Sequence, residues 1–217
     1  MAKQIINNRE FQIYSCYNLN VSKELVNAQK SVFNIFNMNL TQELTNLQHP
    51  EWLDKKINDL KNFDIIVFFD IDVIPLKPNL YNYILEQIGD DNSIIGIEQA
   101  ANHLDPNFVY AGPACFAFSK KTYEKLKKPS FMHNYRADTA GEFTFSAKKY
   151  GVNVKFFNII SSLTNQWKCK SKFFGFGTTY DDWIYHQFGS SLILSNMQFI
   201  NKTNQVLKMY RQIENFL

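Results

Sequence analysis

The hydrophobic positions change their spacing repeatedly along the chain, and each change predicts a new element. F-Q-I-Y-S-C-Y-N at 11–18 predicts a first strand. Ser22 is a suitable cap for a helix over 23–38, where Leu25, Val26, Gln29, Val32, Phe33 and Phe36 recur at about 3.6 residues. A short segment near Leu40 leads to H-P-E-W-L-D-K-K-I-N-D-L at 49–60. Pro50 suits the first turn of a helix there, and Trp52, Leu53, Ile57 and Leu60 share its apolar face. I-I-V-F-F at 65–69 is apolar without interruption, which fits a strand covered on both faces in the middle of a sheet. Beyond it come a helix at 79–88, strands at 93–98 and 114–119, and a helix at 121–126. A helix from Thr139 to Tyr150, a strand at 152–158 and a helix from Thr203 to Phe216 complete the series. This order predicts an α/β fold, one domain with a mainly parallel central sheet flanked by helices.

Composition narrows the function classes. The 217 residues are 45% hydrophobic and 20% charged, within the range of soluble globular chains. A net charge of +3 is compatible with an anionic small ligand but too weak and dispersed to argue for nucleic acid. The local basic cluster K-C-K-S-K at 168–172 is either a solvated loop or a loop that meets phosphates. Cys16, Cys115 and Cys169 form no C-x-x-C pair and have no His at zinc spacing, so reduced thiols are expected, Cys16 and Cys115 as small core residues. The N-terminus has no signal-peptide core, and no apolar run reaches the roughly 18 residues of a membrane span. A cytoplasmic protein with no membrane span is the expectation.

The chemistry concentrates where the apolar strand ends, in F-F-D-I-D-V-I-P. Ligands of open α/β sheets sit outside the carboxyl ends of central strands. Side chains alternate along a strand, so Asp70 and Asp72 are expected on one side. Two carboxylates there repel unless a cation joins them, and hard divalent cations take oxygen ligands and bind substrate phosphates. A plain turn before Pro75 is the alternative. Among the histidines, His186 stands before Gly189, Ser190 and Ser191, a turn whose N–H groups suit a phosphate. His49, His103 and His133 have no such context and are expected to be surface or structural.

Three stretches carry a resemblance to a family. F-F-D-I-D-V-I-P resembles the D-x-D segment of GT-A fold glycosyltransferases. Y-A-G-P-A-C-F-A-F-S-K-K-T-Y-E-K-L at 110–126 is similar to their Gly-containing strand and following helix, and W-I-Y-H-Q-F-G-S-S at 183–191 to their late His-containing segment. The resemblance implies a GT-A fold, with a nucleotide-binding part over about 1–75, a sugar and acceptor part over about 76–192, and the C-terminal helix. It implies a nucleotide-sugar donor, UDP-sugar favoured, a glycan or other hydroxyl acceptor, and Mn2+ or Mg2+ held by Asp70, Asp72 and His186. Donor contacts are then expected from Tyr14, Ser15 and Tyr17 at the first strand's end, with core packing as their alternative, from Asp70 and Ile71, from Gly112 and Pro113 just before the strand at 114–119, with a plain turn as theirs, and from Gly189. Asp138 is both an expected cap of the 139–150 helix and the first candidate catalytic carboxylate, with Glu142 beside it and Asp181 and Asp182 as rivals. The loop at 171–180 is either a lid or an aromatic loop packed on the core. Two alternatives stay open: a sugar-nucleotide nucleotidyltransferase, disfavoured because 15–24 lacks glycine, and a non-catalytic nucleotide-sugar-binding module.

Overall fold

The computed structural model describes residues 4–60 and 62–214. The chain opens with β1 (Gln4–Ile6) and β2 (Arg9–Tyr17), then α1 (Lys23–Ile35), β3 (Leu40–Leu44), α2 (His49–Asp59) and β4 (Ile65–Asp70). It continues through β5 (Val73–Pro75), α3 (Leu80–Ile88), β6 (Ser93–Ala100), β7 (Val109–Ser119), α4 (Lys120–Lys125) and α5 (Gly141–Tyr150). It ends with β8 (Asn153–Phe157), β9 (Ile159–Ser161), β10 (Trp167–Cys169), β11 (Lys172–Phe174), β12 (Thr178–Tyr180), β13 (Ile184–His186) and α6 (Ile193–Glu214). Helix α6 thus starts ten residues before the expected position, and residues 215 and 216 of that expectation lie outside the described residues.

The central sheet has the order β1-β2-β4-β7-β6-β8, with β3 alongside the C-terminal half of β2. Strands β2, β3, β4, β6 and β8 run one way, and β7 runs against them. This is the expected α/β fold with a mainly parallel central sheet flanked by helices. The apolar β4 lies in its middle, between β2 and β7, with residues 65–69 all buried. Alternation sends Ile65, Val67 and Phe69 into one core and Ile66 and Phe68 into the other. Each such side chain contributes about 1.5–3 kcal/mol on burial.

The two cores differ in what covers them. On one face, α1, α3 and α6 bring Leu25, Val32, Phe33, Ile84 and Phe199 against the sheet. On the other, α2, α4 and α5 close over an aromatic cluster in which Phe131 packs 4.5 Å from Phe143 and 5.5 Å from Phe68, centroid to centroid. Local signals place the helices as expected: Ser22 Oγ accepts from Leu25 N at the start of α1, and Pro50 sits in the first turn of α2.

A second, antiparallel sheet of order β5-β13-β12-β9 stands beside the first. Strand β5 follows β4 after a turn of only two residues, and it pairs with β13 so that Val73 faces His186. The hairpin β10–β11 carries the K-C-K-S-K cluster at its turn, and Cys169 and Phe174 are buried in the core. The 171–180 segment is therefore built into strands, with Tyr180 also fully buried, and none of its residues lines the cleft described below. No described helix is long and apolar enough to cross a membrane.

Candidate functional site

A cleft of about 420 Å³ opens at the carboxyl ends of β2, β3 and β4. Asp70 is the last residue of β4, and the strand stops there. The expected reason for the carboxylates sharing a side, strand alternation, is thus corrected: Ile71 and Asp72 form a turn, and the turn brings Asp72 back beside Asp70. Three backbone carbonyls of this segment are held. Gln29 Nε2 donates to Asp70 O at 2.7 Å and Val73 O at 2.9 Å, and Gln187 N donates to Asp72 O at 2.9 Å.

Pairing of β5 with β13 then places His186 over the carboxylates. His186 Nε2 is 3.3 Å from Asp72 Oδ1 and 3.9 Å from Asp70 Oδ2. One ligand atom from each of Asp70, Asp72 and His186 lies within 4.8 Å of the others. The imidazole is held flat against Phe188, with ring centroids 3.6 Å apart. His186 Nδ1 is buried without a hydrogen-bond partner. Two carboxylates and an imidazole with ligand atoms this close suit a divalent cation that takes O and N ligands, manganese more naturally than magnesium.

His49 was expected to be surface or structural, and this is corrected. It opens α2, lines the cleft, and places Nε2 3.0 Å from Asp70 Oδ1. Burial alone would push the Asp70 carboxyl up, but the charges of His49 and then His186 outweigh it and hold its pKa below the usual value. Burial likewise disfavours the His49 imidazolium, and the Asp70 charge outweighs it, so the His49 pKa is raised. The signal in the sequence was topological rather than local: the β3–α2 connection leaves the carboxyl end of a parallel strand, where α/β sites form.

No family model and no curated protein matches the chain. Solved structures of similar course include a Drosophila beta-1,4-galactosyltransferase 7 in complex with manganese, UDP-Gal and xylobiose, with a TM-score of 0.43 and 11% identity over 81% of this chain and 70% of that one. A glycosyltransferase involved in glycosylation of the major capsid of PBCV-1 has a TM-score of 0.35 and 16% identity over 52% of this chain and 61% of that one. A putative glucose-1-phosphate thymidylyltransferase from Bacillus anthracis in complex with a sucrose has a TM-score of 0.45 and 8% identity over 89% and 95%. Identities of 8–16% say nothing about individual residues of the cleft.

The remaining candidates divide between the cleft and elsewhere. Tyr17, Ile71, Pro113, Asp138 and Gly189 line it, as do Thr139, Ser190 and Ser191. Tyr14 and Ser15 do not: both are buried, and the Tyr14 hydroxyl donates to Gln12 Oε1 at 3.0 Å. Cys16, expected in the core, lines the cleft, whereas Cys115 is buried as expected. Gly112 and Pro113 stand inside β7 rather than before a strand, where the β6–β7 register jumps from Gly96↔Phe116 to Ile97↔Gly112. The bulge leaves Pro113 facing the cleft while Gly112 lies beneath Gln99, whose Oε1 would stand 2.3 Å from a Cβ added at Gly112.

Asp138 does not cap α5. The N-cap is Ala140 with φ 66°, and Asp138 Oδ1 accepts from the adjacent Thr139 N at 2.8 Å. Its Oδ2 accepts loosely from the Tyr110 hydroxyl at 3.4 Å, with both side chains at the cleft wall. Glu142 is not among the residues lining the cleft. Its carboxylate takes two 2.7 Å hydrogen bonds from Arg136 and one of 2.8 Å from Asn134. Asp181 is occupied too, accepting from Asn158 N at 2.7 Å, and neither Asp181 nor Asp182 lines the cleft.

Proposed function

We propose that the protein is a metal-dependent glycosyltransferase that moves a sugar from a nucleotide-diphosphate sugar, UDP-sugar favoured, to a hydroxyl of a glycan or other acceptor. The observation that carries this reading is the convergence of Asp70, Asp72 and His186 at the carboxyl end of the most buried strand, on the floor of a polar cleft. A divalent cation held there supplies positive charge for the departing diphosphate. Around it, Tyr17 at the end of β2 flanks the nucleoside, and the backbone of Gly189–Ser191 offers N–H groups to phosphate oxygens. On the opposite wall Asp138, free of the helix cap and only loosely bonded to Tyr110, is the carboxylate available to an acceptor hydroxyl or a donor-sugar hydroxyl. Glu142 is the lesser candidate, since reaching the cleft requires breaking its bonds to Arg136.

The deciding experiment is a thermal-shift panel of UDP, GDP, CDP and dTDP with and without manganese, followed by a nucleotide-sugar hydrolysis assay. A ligand that binds only the folded state raises the midpoint by mass action. Stabilisation by one nucleotide that needs manganese and is reduced in His186→Ala, together with release of free diphosphate from the matching sugar donor, is the expected result. Stabilisation without turnover would leave a binding module, and no shift with any nucleotide would remove the proposal.

A further inference from the structure

Gln29 is out of place on its helix. Its neighbours along the buried stripe of α1 are Leu25, Val32 and Phe33, and its own side chain is fully buried among them. A buried amide persists only with its hydrogen-bonding capacity filled. Both hydrogens of Gln29 Nε2 are used, on Asp70 O and Val73 O at 2.7 and 2.9 Å. Carbonyls only accept, so the orientation of the amide is fixed. Its Oε1 accepts from Gln42 Nε2 at 2.9 Å, and Gln42 in turn anchors to Val26 O at 2.9 Å. A chain of two amides thus runs from β3 through α1 to the turn that carries both aspartates.

The clamp has a second jaw. Gln187 N, next to His186, holds Asp72 O at 2.9 Å. The Gln187 side chain is tied down as well, accepting from the Tyr185 hydroxyl and donating to Gln198 Oε1 at 2.9 Å. The bonds that reach the 70–73 turn all end on its backbone carbonyls, and none engages a carboxylate oxygen. The arrangement fixes where the aspartate Cα atoms sit against their mutual repulsion and leaves the carboxylates to face the imidazoles of His49 and His186.

On the metal-site reading above, we propose that Gln29, oriented by Gln42, is a positioning residue of the metal centre. It sets the 70–73 turn so that Asp70 and Asp72 meet the same cation. The alternative is that Gln29 only stabilises the fold.

The test is a titration of the apoprotein with Mn2+ alone, reading free Mn2+ by electron paramagnetic resonance, with a thermal denaturation in chelator for each variant. Wild type should bind Mn2+, and Asp72→Asn should not. Gln29→Met keeps the volume and removes both donors, and it should weaken Mn2+ binding by about tenfold or more, the usual effect of losing an outer-shell partner. Gln42→Met, which leaves Gln29 in place but unoriented, should show a smaller loss. Val32→Ala, on the same helix but away from the turn, should lower the midpoint and leave Mn2+ affinity unchanged. A folded Gln29→Met with Mn2+ affinity within about twofold of wild type would overturn the proposal. So would a Val32→Ala that loses as much affinity as Gln29→Met for the same drop in midpoint. If Gln29→Met does not fold, Gln42→Met decides, and unchanged affinity there overturns it. Wild type that fails to bind Mn2+, or binding that survives Asp72→Asn, would remove the metal site itself and the proposal with it.

Discussion

The floor and the wall of the cleft are built on opposite plans. On the floor, the backbone of 70–73 is gripped from two sides by Gln29 and Gln187, while the Asp70 and Asp72 carboxylates face the imidazoles of His49 and His186. On the wall, the backbone around Asp138 leads into a left-handed Ala140, and the Asp138 carboxylate accepts from its neighbour Thr139 N at 2.8 Å and from the Tyr110 hydroxyl at 3.4 Å. On the proposed function, a rigid main chain beneath two close carboxylates suits a ligand of fixed size and high positive charge. A carboxylate whose Oδ2 is held only loosely, at 3.4 Å, can offer that oxygen to hydroxyls whose positions change during a reaction. On the proposed function, the floor would hold the fixed charge and the wall the adjustable proton chemistry.

The largest effect that would break this division is at Asp72. Asp72→Asn should lower metal-dependent turnover by at least about a thousandfold, several kcal/mol of lost charge stabilisation at ~1.4 kcal/mol per factor of ten. Its melting midpoint without metal should be unchanged or higher, because one of two repelling carboxylates is gone. Wild-type-like kinetics in this variant would end the role given to the floor. Next is the wall: Asp138→Asn should cost about 10²–10⁴-fold in kcat while leaving Mn2+ affinity intact, the range for losing a general base. Glu142→Gln should change kcat far less, and the reverse order of the two would exchange their roles.

A smaller effect is expected at Gly112. An added methyl would meet Gln99 Oε1 at 2.3 Å and both Gln99 Cβ and Ile97 Cγ1 at 3.0 Å. Gly112→Ala should therefore cost about 1–3 kcal/mol in denaturant unfolding and displace Gln99 from the wall, raising donor KM more than it lowers kcat. Smallest is the ion pair behind the wall. The Arg136 hydrogen bonds hold Glu142 below its ordinary pKa. A depressed carboxylate stabilises the fold above its unfolded pKa and loses that contribution as pH falls through the lowered folded value. The midpoint difference between wild type and Arg136→Ala should be small at neutral pH and vanish in acid, and a difference that grows in acid would reverse the assigned coupling. The Arg136 side chain is exposed, which keeps the effect small.

Much of the fold was legible because it is written in local periodicity. The unbroken I-I-V-F-F run marked β4 as central, and Ser22 and Pro50 marked two helix starts, all as observed. The D-x-D was legible for the same reason, as charge at the end of a fully apolar strand. Asp138 was misplaced as a cap because a short polar residue before a helix usually is one, whereas here a left-handed alanine intervenes and shifts the start to Gly141. Gly112 and Pro113 looked like a turn because the two residues favour one, and nothing local distinguishes a turn from a bulge inside a long strand. Gln29 was visible only as one polar member of an apolar stripe. His49 was passed over because a single histidine at a helix start carries no periodic signal.

The sequence by itself determined the helices, five strands of the central sheet, and the position of two carboxylates at the end of the central strand, but not the second sheet. Those properties depend on residue spacing and transfer to an apolar interior, which act over a few residues. Only the tertiary structure decided that β5 pairs with β13, so that His186 meets Asp70 and Asp72, and that β3 lies beside β2, so that His49 reaches the same carboxylate. It also decided that the amide of Gln29 ends on the carbonyls of that turn. Strand pairing is made by backbone hydrogen bonds that nearly every residue can form. The choice of partner therefore rests on the packing of the whole chain, and no short stretch of it encodes that choice.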